Sequence, residues 1–332
     1  MIRKLVLLLV VLLIAVNVAF VFQAMEPDRS VEELAARWAD ENSRFEEIDG
    51  AQVHYRDQGL RKGTPLVMLH GLASSLHTWD GWVAELDDDR RLVRLDLPAF
   101  GLTGPIADGD YRISRYVRFL DAFLDHLGIE QVDLAGSSFG GYLAWRFALD
   151  HPERVRSLVL VSAAGYPPRP GEPVLQLGDV SWIRRLTRNV TPRGLVETAL
   201  FDVFYDDRLV TQEMIDRHWE LLLREGKRDA LTNRSGLPRD PERWSRIPEI
   251  EQPTLVLWGE EDTWIDPSMA ERFVDDLPNA RSIVYPEIGH LPAEEAAEAS
   301  AADLLVFLRE QDRSAVESSS ETESPSEDET SS

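Results

Sequence analysis

The chain contains no cysteine, which excludes disulfides and thiolate chemistry and removes any clue to its redox compartment. Basic residues are also scarce, with 35 Lys and Arg against 59 Asp and Glu and a net charge of −24. Binding to phosphate backbones needs clusters of Lys and Arg, so this balance argues against a nucleic-acid partner. Nothing in the sequence implies a protein partner.

One long apolar run lies near the N-terminus, where Leu5 to Phe22 carries no charge over 18 residues. A helix of this length spans about 27 Å, close to the thickness of a bilayer core. Arg3 and Lys4 precede the run, and the positive-inside rule places them in the cytoplasm. We expect residues 1–24 to form an uncleaved membrane anchor with the following domain on the outer, periplasmic or extracytoplasmic side. A signal peptide and a buried helix are the alternatives.

The chain from residue 25 to residue 312 is globular in composition. Residues 25–45 form a polar connector, and a hairpin follows around Asp49-Gly50. Short apolar strands then alternate with helical patterns, which is typical of a parallel sheet covered on both faces. The predicted strands are Pro65–Leu69, Leu92–Leu95, Val132–Ala135, Val155–Val161, Thr254–Trp258 and Ser282–Tyr285. The predicted helices are Thr78–Leu86, Ser114–Leu127, Phe139–Leu149, Pro267–Leu277 and Ala293–Leu308.

Two segments depart from this alternation. Residues 166–250 contain no convincing strand, so we expect a helical cap inserted between two halves of the core, 46–165 and 251–312. Residues 313–332 are expected to be a disordered acidic tail, since residues 317–332 hold six acids, seven serines and no base.

A G-x-S-x-G pattern marks the candidate nucleophile. Gly136-Ser137-Ser138-Phe139-Gly140 follows an apolar strand directly and opens a helix. A serine on such a tight turn projects its hydroxyl above the sheet, and the glycines remove side chains that would clash. Its spacing to the two glycines selects Ser138 over Ser137.

The hydroxyl of serine needs a base, and the base needs an acid to orient it. The strand ending at Trp258 is followed by an acidic turn with Asp262, and the strand ending at Tyr285 is followed by His290. These positions suit the chain order serine, acid, histidine. Glu260, Glu261 and Asp266 remain alternatives to Asp262.

A tetrahedral oxyanion needs two hydrogen-bond donors. The N–H of Phe139 and the N–H of Leu72, in the turn after the strand Pro65–Leu69, are the candidates. Residues near these positions are expected to border the substrate pocket: His70, Gly71, Ser74, Trp79 and Trp264.

Residues from about 46 to 310 resemble the α/β-hydrolase superfamily through HGLASSLHTWD, DLPAFGLT, GSSFGG, WGEED and GHLPAEE. Within it the chain resembles single-cap esterases, carbon–carbon hydrolases of aromatic ring-cleavage products and haloperoxidase-like enzymes without a cofactor. The resemblance implies an α/β-hydrolase fold, with a mostly parallel doubly wound sheet and a cap before the strand that carries the triad acid. It also implies the triad Ser138, Asp262 and His290, with no metal or organic cofactor.

The sequence therefore predicts a membrane-anchored serine hydrolase that cleaves an ester of a small, lipophilic substrate through an acyl-enzyme on Ser138. A carbon–carbon hydrolase, an acyltransferase and a ligand receptor without turnover are the alternatives. Serine at position 138 argues against epoxide hydrolases and haloalkane dehalogenases, which carry aspartate there.

Overall fold

Eight strands of the computed structural model, which describes residues 25–167, 190–234 and 243–322, form one sheet. The strands are β1 (Ser43–Ile48), β2 (Ala51–Gly59), β3 (Leu66–Leu69), β4 (Arg91–Leu95), β5 (Val132–Ser137), β6 (Val155–Val161), β7 (Thr254–Gly259) and β8 (Ala280–Tyr285). Their spatial order is β1-β2-β4-β3-β5-β6-β7-β8. The first two pairings, β1 with β2 and β2 with β4, are antiparallel, and all the others are parallel.

The hairpin between β1 and β2 turns where the sequence predicts it. Asp49 and Gly50 have positive φ angles of 48° and 78°, and an Asp-Gly pair tolerates this left-handed geometry. The hairpin pairs with β4, so the antiparallel edge joins directly to the parallel part of the sheet.

Helices cover both faces of the sheet. In the described part of the chain the helices are α1 (Val31–Trp38), α2 (Asp80–Leu86), α3 (Ile113–His126), α4 (Phe139–Asp150), α5 (Arg193–Val203), α6 (Gln212–Leu222), α7 (Lys227–Arg234), α8 (Ser268–Asp276), α9 (Pro292–Glu295) and α10 (Ala297–Thr322). One apolar cluster joins the sheet to α3, α4 and α8, and a second joins its other face to α2 and α10. The middle strands β3, β5 and β7 are buried along their whole length, which explains their continuous apolar sequences. The predicted doubly wound α/β architecture is confirmed.

Between β6 and β7, the regular secondary structure in the described residues is helical. Residues 190–234 and 243–250 contain α5, α6, α7 and two 3-10 turns, and no strand lies within these residues. Two isolated bridges tie this region to the N-terminal connector, Met25 with Val190 and Arg29 with Arg224. We refer to residues 190–250, in their described parts, as the inserted segment.

The two ends of the chain differ from the prediction. The segment predicted as a polar connector contains a short helix, α1, which begins after the Ser30 cap. The last helix, predicted to end at Leu308, continues as α10 to Thr322 and so extends into the segment that was expected to be a disordered tail. The acidic residues beyond 322 lie outside the described part.

The predicted membrane anchoring and outward-facing localisation are corrected here. Across residues 25–167, 190–234 and 243–322, no helix combines the length and the apolar composition needed to cross a bilayer. The run from Leu5 to Phe22, on which that prediction depended, lies outside these residues. The described helix that follows it, α1, is short and polar.

Candidate active site

Ser138 lies on a sharp turn between β5 and α4. Its φ and ψ angles are 52° and −112°, a conformation that costs free energy for any residue with a Cβ. Three backbone hydrogen bonds hold it: Ser138 N–H donates to the Val161 carbonyl at 2.9 Å, and its carbonyl accepts from Tyr142 and Ala164 at 3.0 Å. This is the geometry of a nucleophile elbow.

The two glycines of the motif are required by close backbone contacts. A Cβ on Gly136 would lie 2.3 Å from the Gly140 carbonyl oxygen, and one on Gly140 would lie 2.1 Å from the Leu69 oxygen. No flexible side chain could move away in either case. The spacing recognised in the sequence therefore reflects how tightly α4 packs against the ends of β5 and β3.

Asp262 and His290 form a buried pair at the carboxyl ends of β7 and β8. The His290 ring donates from Nδ1 to Asp262 Oδ2 at 2.8 Å. The other carboxylate oxygen, Oδ1, accepts from the N–H groups of Trp264 and Ile265, both at 2.9 Å. With Nδ1 donating, Nε2 is left to accept a proton in the neutral ring.

The structure distinguishes among the four acids of this turn. Asp262 is buried, whereas Glu260, Glu261 and Asp266 are exposed. Asp266 caps the next helix by accepting from the Ser268 N–H at 2.9 Å. Only Asp262, of these four described residues, bonds to His290.

Ser138 and His290 line the same cavity. The structure has no direct hydrogen bond between the Ser138 hydroxyl and the His290 ring, both in its described part. Such bonds are often long in ligand-free enzymes and tighten when substrate binds.

Glu295 accepts hydrogen bonds from the loop that carries His290, which we call the histidine loop. This role of Glu295 was not predicted from the sequence. Its Oε1 accepts from the N–H groups of Gly289 and Leu291 at 3.0 and 3.4 Å, and its Oε2 accepts from Tyr205 N–H at 2.7 Å. Tyr205 belongs to the inserted segment. Burial raises the pKa of Glu295, and these N–H groups oppose that shift. The only feature of the sequence that could have indicated this role is a carboxylate five residues after His290.

His70 orients the loop that carries the candidate oxyanion donor. Its Nδ1 donates to the Gly71 carbonyl at 2.7 Å, and its Nε2 accepts from Leu97 N–H at 3.0 Å. Burial lowers the pKa of His70 to about 4, so the ring is neutral, as this pattern requires. The Gly71 carbonyl and the Leu72 N–H belong to one planar trans peptide and point in opposite directions. The hydrogen bond that fixes the Gly71 carbonyl therefore also fixes the direction of the Leu72 N–H.

Leu72 and Phe139 are placed differently with respect to the cavity. Leu72 is half exposed and lines it, and its N–H makes no hydrogen bond to any described residue. Phe139 is the first residue of α4 and is buried outside the lining. Its backbone still directly follows Ser138, where a second donor is expected.

The cavity has a volume of about 340 Å³, in the range of small-molecule sites. Its described lining is mostly aliphatic and comes from both the core and the inserted segment: Gly71, Leu72, Ala73, Ser74, Ser138, Val190, Thr191, Pro192, Leu195, Val196, Ala199, Leu200, Val203, His218, Leu222, Trp264, His290 and Leu291. No Lys or Arg occurs among these described lining residues.

Three of the five predicted pocket residues lie in this lining and two do not. Gly71, Ser74 and Trp264 are present, and the Trp264 ring stacks on His290 with centroids 5.8 Å apart. The prediction for His70 and Trp79 is corrected. His70 is buried behind the loop that it orients, and Trp79 packs against Trp82 in the core at 4.8 Å.

No Phe, Tyr or Trp side chain of the inserted segment occurs among the described lining residues. Phe201, Phe204, Trp219 and Trp244 are absent from the described lining, and Trp182 lies outside the described residues.

Within the described residues, no three His, Asp or Glu side chains are grouped so as to hold a metal ion.

Comparison with known proteins agrees with the fold. The family model described as "alpha/beta hydrolase fold" matches residues 64–297. A 2-hydroxy-6-oxononadienedioate/2-hydroxy-6-oxononatrienedioate hydrolase of Paraburkholderia phymatum is 33% identical over 267 residues, 77% of this chain and 91% of the relative. A 2-hydroxymuconate semialdehyde hydrolase of Pseudomonas sp. is 31% identical and covers 80% of this chain and 94% of the relative.

Among solved structures, a putative lipase from Acinetobacter baumannii superposes with a TM-score of 0.72 at 22% identity. It covers 87% of this chain and 99% of its own. At this identity the likeness concerns the fold alone. The family model spans well over half of the sequence, and the sheet order and the serine turn have the geometry that the resemblance implied. The chain therefore belongs to the α/β-hydrolase family.

Proposed function

We propose that this chain is a serine hydrolase in which Ser138 attacks a carbonyl carbon, with His290 as base and Asp262 as the acid that orients it. The observation that carries the proposal is the buried Asp262–His290 hydrogen bond, in a cavity that Ser138 also lines. The exposed acids of the same turn do not share this arrangement.

The mechanism follows from the positions of these groups. Nε2 of His290 takes the Ser138 proton as the hydroxyl attacks, and Asp262 stabilises the imidazolium through Nδ1. The N–H groups of Leu72 and Phe139 stabilise the oxyanion. His290 then protonates the leaving group. Finally, a water molecule attacks the acyl-enzyme, with His290 again as base, and releases a carboxylic acid and free Ser138.

For the bond that is cleaved, we propose a carbon–carbon bond next to the ketone of a ring-cleavage product. Both sequence relatives reported above carry names of hydrolases acting on such compounds, and the match extends over nearly their whole length. A carbon leaving group needs a place for its electron pair, which a conjugated hydroxy-dienoate chain supplies. The same serine, histidine and aspartate would serve this reaction.

Ester hydrolysis is the second candidate, and one specific observation favours it. The described lining is aliphatic and contains no Lys or Arg, whereas the dioate named for the first relative carries two carboxylates. Burying a carboxylate without a cationic partner is costly. A neutral acyl chain fits this lining without that cost.

Parallel kinetics decide between the two bonds. The purified full chain is given a 2-hydroxy-6-oxo-dienoate with an uncharged substituent on its ketone, and separately a series of p-nitrophenyl esters. Carbon–carbon hydrolysis predicts that kcat/KM for the dienoate exceeds that for the best ester, with both rates lost in Ser138→Ala. Turnover of esters without the dienoate would establish the second candidate. No turnover of either by the folded protein would refute the proposed function.

A further inference from the structure

His218, on α6 of the inserted segment, lines the cavity together with Ser138 and His290. The mechanism above makes no use of it. We propose that His218 is a specificity-determining residue whose Nε2 accepts a hydrogen bond from a hydroxyl group on the substrate. This inference rests on the proposed function and adds the class of substrate, a carbonyl compound that carries a free hydroxyl group.

The tautomer of His218 is set by its own helix. Nδ1 lies 2.9 Å from the carbonyl oxygen of Met214, one turn earlier. A carbonyl only accepts, so Nδ1 must carry the proton. Burial, and secondarily the nearby charge of Arg217, lowers the pKa of His218 to about 4. The ring is thus neutral at ordinary pH, and Nε2 holds a free lone pair.

The lone pair on Nε2 has no partner in the described protein. The carbonyl of Met214 is the one hydrogen-bonding group that the described residues offer to the His218 ring. An acceptor in a largely aliphatic cavity is costly unless a donor meets it. The substrate or its bound water has to supply that donor.

The other polar side chains of the lining already have partners. The Ser74 hydroxyl donates to Thr78 Oγ1 at 3.3 Å, and Thr191 Oγ1 accepts from Arg228 at 3.4 Å. Ser138 and His290 are assigned to the reaction. Among the described side chains of the lining, His218 Nε2 is therefore the one nitrogen acceptor that has no part in the proposed reaction.

The chemistry of a neutral acceptor restricts what can bind there. A carboxylate has only lone pairs to offer, and two acceptors facing each other repel unless the imidazole is protonated, which needs a pH below about 4. A hydroxyl donates directly. Two sources share this chemistry: the enol hydroxyl of a 2-hydroxy-dienoate, and the free hydroxyl of a diol monoester.

The test uses matched substrate pairs that differ only in this hydroxyl. One pair is a 2-hydroxy-dienoate ketone and its 2-methoxy analogue, compared by their affinity for the inactive Ser138→Ala chain, because methylation also blocks the ketonisation that takes up the leaving electron pair. The other pair is a diol monoester and its terminal methyl ether, compared by kcat/KM. We expect the hydroxyl member of the pair that matches the natural source to be preferred by about 10-fold, the size of one net hydrogen bond.

Two substitutions at position 218 test whether Nε2 of the histidine accepts the hydrogen bond from the substrate. His218→Phe should bring the ratio of hydroxyl to methyl ether close to one, by lowering kcat/KM for the hydroxyl member. His218→Gln should retain much of the preference, because its amide oxygen can accept. Leu195→Met, an aliphatic change in the same lining, is the matched control and should affect both members equally.

The outcomes separate this inference from the proposed function. The role of His218 would be overturned if His218→Phe still distinguished the hydroxyl member from its methyl ether, or if the wild type preferred the hydroxyl member in neither pair. Turnover of simple esters or dienoates would in that case still support the assignment of Ser138. Calorimetric binding of both members of each pair to Ser138→Ala measures the same ratio without turnover. A binding ratio that disappears in Ser138→Ala/His218→Phe would support the inference even if the proposed reaction fails.

Discussion

The cavity has two walls, one formed by the α/β core and the other by the inserted segment, and different interactions hold the two walls in place. On the core side, the groups that bear the chemistry are held by hydrogen bonds: Asp262 accepts three, and the Ser138 backbone makes three. On the side of the inserted segment, the described lining is aliphatic except for Thr191 and His218. Hydrogen bonds fix direction, whereas aliphatic contacts depend on shape alone. We infer that the core sets the reaction and the inserted segment sets which substrate undergoes it.

The two walls are not independent, because the histidine loop joins them. His290 N–H donates to the Val203 carbonyl at the end of α5 at 2.7 Å. Glu295 bonds both to this loop and to Tyr205 of the inserted segment. Movement of the inserted segment would thus displace His290, the proposed base, directly.

The largest effect is expected at Ser138. Ser138→Ala removes the nucleophile and should lower kcat by a factor on the order of 10⁴ to 10⁶, as in other serine hydrolases. The neighbouring Ser137→Ala is the matched control and should change kcat by no more than a few-fold. Steady-state kinetics with a p-nitrophenyl ester or dienoate measure both, and an active Ser138→Ala would contradict the assignment of the nucleophile.

A somewhat smaller loss is expected at Asp262. Asp262→Asn keeps the shape but places the wrong tautomer on His290, which should lower kcat by about 10³- to 10⁴-fold. Glu261→Gln changes an exposed acid in the same turn and should leave kcat nearly unchanged. Equal losses in the two variants would show that the turn, rather than the hydrogen bond to His290, matters.

Glu295 tests the connection between the walls. Glu295→Gln weakens charge-assisted hydrogen bonds to three N–H groups, so we expect kcat to fall by about 10-fold. Glu298→Gln, at an exposed position, is the control. Thermal denaturation run beside the kinetics separates the two effects, and a lower Tm with unchanged kcat would assign Glu295 to stability alone.

The wall formed by the inserted segment should affect selectivity more than rate. Leu200→Trp fills part of the aliphatic lining, so kcat/KM for long acyl chains should fall about 10-fold or more, while acetyl esters change by a few-fold at most. A panel of p-nitrophenyl esters with acyl chains of about two to twelve carbons, suited to a site of this size, measures how kcat/KM depends on chain length. A uniform loss across the panel would mean that this wall also positions the reacting groups.

The smallest effect concerns the pH dependence of stability. Burial lowers the pKa of His70 to about 4 and that of His77 to about 3, below the value of about 6.5 in an unfolded chain. The unfolded chain binds more protons as the pH falls below 6.5, so the stability from these neutral rings is complete above that pH. It is lost as the pH falls toward 4. Tm should decrease over this window, less steeply in His70→Asn, and a flat Tm would contradict the neutral assignment.

Much of the core could be predicted because its signals are local. Most of the parallel strands are short apolar runs, and Ser138, Asp262 and His290 follow strands, so the carboxyl edge of a parallel sheet brings them to one region. Asp262 could not be separated from its neighbours by sequence, because burial of one carboxylate among four depends on how the turn folds. Their catalytic roles remain predictions.

The cavity was less predictable because it depends on packing between distant segments. Trp79 looks like a pocket aromatic in sequence, yet it packs into the core against Trp82. His218 looks like an ordinary helical histidine, and only the placement of α6 brings it to the cavity. The hydropathy of the N-terminal run suggested an anchor, but none of the described helices is able to cross a membrane.

Covalent trapping tests the central assignment most directly. The intact chain is treated with an alkyl fluorophosphonate, and peptide mass spectrometry locates the adduct in the wild type and in the Ser138→Ala, Ser137→Ala and His290→Ala variants. We predict one adduct on Ser138 in the wild type and in Ser137→Ala, none in Ser138→Ala, and much slower labelling in His290→Ala. An adduct on another residue, or unchanged labelling without His290, would contradict the account.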